Sequence, residues 1–346
     1  MAETDIVFSS RQGLEIREVA LEQVICKGSR YGFSLAADRL FATDQGLGER
    51  RAALWRSLDG SGIVMPLLAR QHGGGLHLVD GFKRFAWAAE RGLSALNLAL
   101  LPDGMDELQT ALFLAQNHAC LLNGSVAARA LFLGFCQGLG LRKEVVARKL
   151  LPAMDLSPSR KLLERYLSIS ALPDAALSFA AEKRLSFRRC LNLTAYPSET
   201  LDWLMDNRGR LRLTASICEE ILDCITELMK RRGCGLETLL SEEALSEILE
   251  DQSLSDSERT ALVRRKLDRL RRPVSSEVNQ ELDAMKRGLE QAATGLEVEW
   301  DRSLEQDHIT LRIAVTAPEQ LDNLLKALSD GKARKGIVDM LERLRA

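Results

Sequence analysis

Aromatic residues are scarce in this chain of 346 residues, at 5%, and histidines scarcer still, with four. The histidines stand at 72, 77, 118 and 308, none at metal-binding spacing to cysteines or carboxylates, and His118 with Cys120 does not by itself define a zinc site. His118, on a mostly apolar helix, reads as a satisfied structural histidine. No CxxC pair exists either. The seven cysteines, at 26, 120, 136, 190, 218, 224 and 234, are odd in number and scattered, which suits reduced thiols packed as small apolar groups in a cytosol. GxxxxGK[ST] and GxGxxG are both missing, which excludes the standard phosphate-binding loops. His72-Gly73-Gly74-Gly75 imitates the oxyanion loop of lipases, but no GxSxG nucleophile elbow accompanies it. Its glycines read as hairpin-turn residues tolerant of positive φ. MAETDIVFSSRQGLEIREV at the start has no apolar run to serve as a signal peptide. The longest uncharged stretch, Leu108 to Ala128, carries Gln109, Gln116, Asn117, His118 and Asn123, costly in hydrocarbon. The expectation is a soluble cytoplasmic protein without membrane association.

A large net charge is also lacking: 47 Lys plus Arg stand against 49 Asp plus Glu. Distribution carries more information than the sum. Between Arg142 and Arg189 there are eleven basic residues and five acidic ones, so the positive charge is segmental. RRKLDRLRR at 264 to 272 is a second basic run and reads as a solvated helix face. The length fits two or three domains rather than one small core.

Hydrophobic patterning orders the rest. Residues 14 to 27 suit a strand, whereas SRYGFSLAADRLFATDQGLGER after them has no clear period. RRAALWRSLDGSG then reads as a helix closed by glycines, VMPLLARQ and LHLVD as strands around HGGG, residues 82 to 91 as a helix and ALNLALL as a strand. From Pro102 to about 250 the chain reads as helical almost without break. After the basic run and a polar hinge come a helix at about 276 to 292, a hairpin of LEVEW and HITLRIAV with alternating apolar residues, and a helix opened by Pro318. A lone hairpin is marginal in water, so this tail is expected to pair with a second copy of itself.

Two stretches carry candidate chemistry. In LHLVDGFKRFAWAAERGL, Lys83 and Arg84 fall in the first turn of a helix, where unpaired N–H groups already make the end positive; cations there are unfavourable by roughly 0.3 to 1 kcal/mol each unless screened or matched by an anion. Arg142 to Ser170 reads as a helix-turn-helix. Its first helix gives Val145, Val146 and Leu150 to a core. Ser159 caps a second helix that turns Arg160, Lys161 and Arg165 outward and Leu162, Leu163 and Leu167 inward, as a major-groove helix requires.

GIVMPLLAR, VDGFKRFAWAAERGL, AQNHACLLNGSVAARALF, the helix-turn-helix and LPDAALSFAAEKRLSFRRCLNL occur in an order that resembles the ParB family of DNA-partition proteins over about residues 14 to 200. The resemblance implies an α+β, mostly helical fold: a ParB/sulfiredoxin-like α/β domain at 14–105, a helical helix-turn-helix domain at 106–250, a basic helix and hinge at 251–275, and a C-terminal dimerisation domain at 276–346. It implies double-stranded DNA as partner, contacted by Ser157, Ser159, Arg160, Lys161 and Arg165, with Arg188 and Arg189 on phosphates. It also implies a nucleoid-associated homodimer, a ParA-type ATPase as partner, and a pocket for CTP and magnesium. In the family that pocket is lined by a proline strand ending in Arg, a Gly-Glu-Arg-Arg helix start and a Glu-Asn-x-Gln-Arg stretch. Carried over, these are Pro66 through Arg70, then Gly81, Phe82, Lys83 and Arg84, then Gln116 and Asn117.

The chain departs from that pattern. Phe82 stands where the family has Glu, Gln116 replaces the other Glu, and HACLLN lacks the Arg expected after Asn117. Losing both carboxylates removes groups that would hold a metal or orient water, so weak or no hydrolysis is expected. Two rivals stay open. One is an enzyme on the same fold, a phosphotransferase or nuclease, which would need Asp80 or Asp59 as its acid; Asp80 otherwise reads as a cap on the helix after it. The other is an adaptor that has lost both ligands.

Overall fold

A computed structural model of the chain describes residues 14–41, 44–242, 245–292, 296–302, 304, 306, 308–315, 326 and 331–345. It divides into two units: Met1–Asp206 with Thr214–Ser216, and Asn207–Leu213 with Ile217–Ala346. The architecture is α+β and mostly helical, with one mixed five-stranded sheet and one two-stranded sheet.

The sheet of the first unit runs β1 (Glu15–Ala20), β5 (Ala95–Leu100), β3 (Leu67–His72), β4 (Gly75–Asp80), β2 (Val24–Ile25). β1–β5 and β3–β4 are antiparallel, and β3–β5 and β2–β4 parallel. Gly73 and Gly74 close the β3–β4 hairpin at φ +56° and +80°, with His72 opposite Gly75. Such a two-residue turn needs positive φ at both positions. Leu67, Ala69, Leu78, Leu96 and Leu98 bury one face of the sheet under Phe82, Trp87 and Ala88 of α3 (Phe82–Glu90), with Leu58 of α2 (Asp44–Ser61) joining the same core. The unassigned stretch after residue 27 contains α1 (Phe33–Phe41), whose Phe33 ring meets Phe132 edge-on at 4.9 Å.

Helices follow. α4 (Glu107–Asn117) opens with a capping box of Asp106 and Gln109, and α5 (Ala119–Gly124) leads to α6 (Val126–Gly138), capped by Ser125. Residues 143–153 form α7 (Lys143–Val145), a π turn over Val146–Leu150, and α8 (Leu151–Ala153). Pro152 explains the widened turn, because it has no N–H to donate and its ring crowds the carbonyl four residues back. α9 (Arg160–Ser170), α10 (Asp174–Glu182), α11 (Phe187–Leu193) and α12 (Ser198–Asp206) complete the unit.

α13 (Ala215–Arg232), which belongs to the second unit from Ile217 onward, buries Cys218, Ile221, Leu222, Cys224, Ile225 and Leu228. α14 (Leu236–Glu242), α15 (Leu245–Glu250) and α16 (Asp256–Arg271) follow. Only Arg272 separates α16 from α17 (Pro273–Ala292), so the expected polar hinge is absorbed into the start of a helix with proline in its first turn, where a missing N–H costs nothing. β6 (Leu296–Trp300) pairs with β7 (Ile309–Ile313), and α18 (Gly331–Arg345) closes a core of Val278, Leu282, Leu289, Val298, Trp300 and Met340. β6 alternates as expected, with Leu296, Val298 and Trp300 buried. β7 does not: Leu311 and Ile313 are exposed, as is Val315 just beyond the strand. The helix expected from Pro318 lies outside the described residues.

All seven cysteines are free thiols, and burial pushes Cys190 up to about 11 and Cys218 up to about 12. No helix among the described residues is long and apolar enough to cross a membrane.

Candidate nucleic-acid and anion-binding surfaces

Gly81 precedes α3 at φ +96°, and no side chain caps the helix. A Cβ there would lie 2.8 Å from Leu67 Cγ, so the left-handed turn and the close strand both demand glycine. Asp80 therefore does not cap this helix, contrary to its sequence reading. The first-turn N–H groups of α3 are left without a side-chain acceptor, the usual basis of an anion site, although Gly81 and Phe82 are themselves buried.

The two first-turn cations have acquired internal partners. Lys83 Nζ lies 2.8 Å from Asp38 Oδ1 on α1, and Arg84 donates to the carbonyls of Met65 at 2.5 Å and Pro66 at 3.2 Å. The side chain of Phe82 faces inward at 4% exposure, so only its backbone can reach a ligand. Position 82 is a core position in this chain.

Arg70 is likewise 8% exposed. Its guanidinium donates to Tyr31 Oη at 2.8 Å, to Glu107 Oε2 and Thr110 Oγ1 at 2.9 Å each, and to the Met105 carbonyl. Glu107 also accepts from Arg30 at 3.3 Å and from Tyr31 at 3.2 Å. Burial pushes the Tyr31 hydroxyl up to about 12. The network fastens β3 to the entry of α1 and the start of α4, so the Arg70 side chain is committed to structure.

Gln116 and Asn117 are exposed at the end of α4. The next residue, His118, feels both Asp80 and Asp38, although desolvation is the larger influence and lowers its pKa. Its ring lies edge-on to Phe33 at 5.4 Å, and its Nε2 is buried without a hydrogen-bond partner. The satisfied structural histidine expected from the sequence is thus not found. Asp38, Asp80, Lys83 and His118 form one cluster, which sequence reasoning missed because Asp38 lies in the unassigned stretch.

These residues do not fit a protein-held magnesium. Asp38 is spent on Lys83, and no group of three or more His, Cys, Asp or Glu among the described residues could hold a metal. Asp59, the other candidate acid, binds Arg91 bidentately at 2.9 and 2.6 Å and accepts from Trp87 Nε1 at 3.0 Å. The bonds from Arg91 and Trp87 hold its carboxyl below the usual range.

α9 has the opposite character. Ser159 caps it by accepting from the Leu162 N–H at 3.2 Å, and Leu163, Tyr166 and Ile169 bury its inner face. Leu162 and Leu167, expected inward, are half-buried flanks. Ser157, Arg160, Lys161 and Arg165 are exposed. Arg160 pairs with Glu144 and Glu164 at 3.2 Å each, while no ion pair is recorded for Lys161 or Arg165 among the described residues. Arg188 is exposed on α11, and Arg189 donates to Ser216 at 3.2 Å.

No protein-family profile matches the chain, and no curated protein matches it. Among solved structures, similar ones include the C-terminally truncated chromosome-partitioning protein ParB from Caulobacter crescentus complexed to the centromeric parS site, at 16% identity over 60% of this chain and 98% of that one, with a TM-score of 0.29. A second is the same truncated ParB complexed with CTP-gamma-S, at 18% identity over 56% of this chain and 97% of that one, with a TM-score of 0.22.

Proposed function

We propose that the chain is a ParB-like DNA-binding protein acting in plasmid or chromosome partition or as a related regulator. The observation that carries this reading is α9, a capped helix with one apolar face buried and with Lys161 and Arg165 exposed and in no ion pair among the described residues. Its N-terminal half enters the major groove, Ser157, Ser159, Arg160, Lys161 and Arg165 touch DNA, and Arg188 and Arg189 contact phosphates. Phosphate contacts by such cations release counterions, so affinity falls steeply with salt. Two copies join through the C-terminal region, where the exposed Leu311, Ile313 and Val315 supply an apolar surface for a second chain. Partition would further require a ParA-type ATPase.

In the same reading CTP binds at the open start of α3 through the backbone of Gly81 to Arg84, near Gln116 and Asn117, without a protein-held metal and with weak or no hydrolysis. A second reading, in which no nucleotide is taken, is favoured by the internal partners of Lys83 and Arg84. Genomic DNA fragments retained by the protein, sequenced with and without CTP, test both. One enriched site supports the DNA reading, and enrichment altered by CTP supports the nucleotide site. Absence of DNA retention at low salt overturns the proposal.

A further inference from the structure

The two sides of α16 treat their cations differently. On one side Arg264 binds Glu220 bidentately at 2.9 and 2.8 Å, and Arg271 lies 2.7 Å from Glu227. Both carboxylates belong to α13 and stand seven residues apart, as do the arginines, so two acids of one helix answer two arginines of the other at the same two-turn interval. Arg231 of α13 donates to the carbonyls of Leu270 and Arg271, fixing the end of α16.

Arg265, Lys266 and Arg269 have no such match among the described residues. With Leu262 and Leu270 of α16 and Ile248 of α15 they line a groove of about 350 Å³. Leu262, Lys266, Arg269 and Leu270 recur at three- and four-residue spacing, so the apolar floor and the cations share one helix face. The flank is held open by α15, which turns Leu245 and Leu249 into the core while Glu247 and Glu250 stay in solvent.

From this geometry we propose that the groove receives an amphipathic helix of a partner protein, with carboxylates at i and i+4 facing Arg265 and Arg269. Aliphatic side chains between those carboxylates rest on Leu262, Leu270 and Ile248. The commitment to such a partner rests on charge complementarity together with the floor. A phosphate backbone gains nothing from three apolar side chains, whereas a helix laid in a groove uses both features. The α13 pairing shows on this same helix how carboxylates at helical spacing satisfy its arginines. Because Arg265 and Arg269 are exposed, the contact is salt-sensitive.

Fluorescence anisotropy of the full chain with a labelled peptide of about four helical turns, built from Leu, Ala and Glu at this spacing, tests the proposal. Saturable binding is expected, absent for the same peptide with Lys in place of Glu. Arg265→Glu with Arg269→Glu weakens the Glu peptide at least tenfold and lets the Lys peptide bind, which also shows that the variant is folded; should it not fold, Arg265→Gln with Arg269→Gln weakens binding at least threefold. Ile248→Ser weakens it at least threefold through the floor. Equal binding of both peptides, indifference to these substitutions, or displacement of the peptide by a random DNA duplex that itself loses affinity in the charge-reversed chain would overturn the assignment.

Discussion

α3 and α9 both open with two adjacent cations, Lys83-Arg84 and Arg160-Lys161, yet they differ in what remains free. At α3 the backbone N–H groups have no side-chain cap, while both cations are engaged by Asp38 and by the carbonyls of Met65 and Pro66. At α9 the Ser159 hydroxyl takes one N–H, while Lys161 and Arg165 face solvent. A small anion held by backbone suits the first arrangement, and an extended polyanion held by mobile side chains suits the second. Cationic residues in a helix's first turn therefore do not by themselves define a phosphate site. The availability of N–H groups and of unpaired side chains must be judged separately.

The largest expected break in this comparison is Phe82→Glu, which restores the carboxylate that the family resemblance implies at α3. Because position 82 packs with Leu67, Trp87 and Leu98, the change buries a charge rather than building a metal site. The expected cost is on the order of 3–5 kcal/mol, against about 1 kcal/mol for Phe82→Leu. Urea unfolding followed by tryptophan fluorescence, with Trp203 and Trp300 replaced by Phe so that Trp55 and Trp87 alone report, reads the difference. A variant as stable as the parent would show that residue 82 reaches solvent.

At α9 the prediction concerns binding rather than stability. Lys161→Ala with Arg165→Ala should leave stability within about 0.5 kcal/mol and lower DNA affinity roughly tenfold. The slope of log affinity against log salt should fall by about two. DNA titrations at several salt concentrations give both numbers. An unchanged slope would remove α9 from the interface.

What the sequence made legible is local in origin. The Gly73-Gly74 turn, the Ser159 cap and the alternation of β6 each depend on a few neighbouring residues and appear as expected. What stayed hidden depends on distant partners. Arg70 is buried by Tyr31, Glu107 and Thr110, which lie 37 to 40 residues away. α1 goes unassigned between glycine-rich flanks, and it is held by rings of α6 across the fold. Helical spacing around 82 predicts α3 but not that Phe82 lies on its inner face, nor that Asp38 answers Lys83. The exposed apolar edge of β7 was equally invisible, because alternation reports which residues share a face and not whether that face is covered.

Ser159→Ala removes the cap that α3 never had, and should destabilise the first unit by about 1 kcal/mol. Thermal unfolding measures it, and Ser159→Asp, which restores an acceptor and adds favourable charge at a helix start, should recover the loss. The same Asp should weaken DNA binding by repelling phosphate. Recovery of stability with unchanged binding would mean that DNA does not approach this end of the helix.

The smallest effect lies in the cluster beside α3. Burial lowers the His118 pKa below its ordinary 6.5, with Asp80 and Asp38 only partly opposing it. The unfolded chain therefore takes up the proton at higher pH than the folded one does. Stability is complete above about pH 6.5 and declines as pH falls from there toward the folded-state pKa. His118→Asn should flatten that part of the decline in a series of melting curves between pH 8 and pH 5, leaving the contribution of His77, which burial also lowers. An anion seated on the N–H groups of α3 adds negative charge to that of Asp80 and Asp38 and raises the His118 pKa. CTP should then shrink the wild-type decline toward that of the variant. If CTP leaves the wild-type curve unchanged, the open start of α3 holds no triphosphate and the contrast with α9 is one of structure alone.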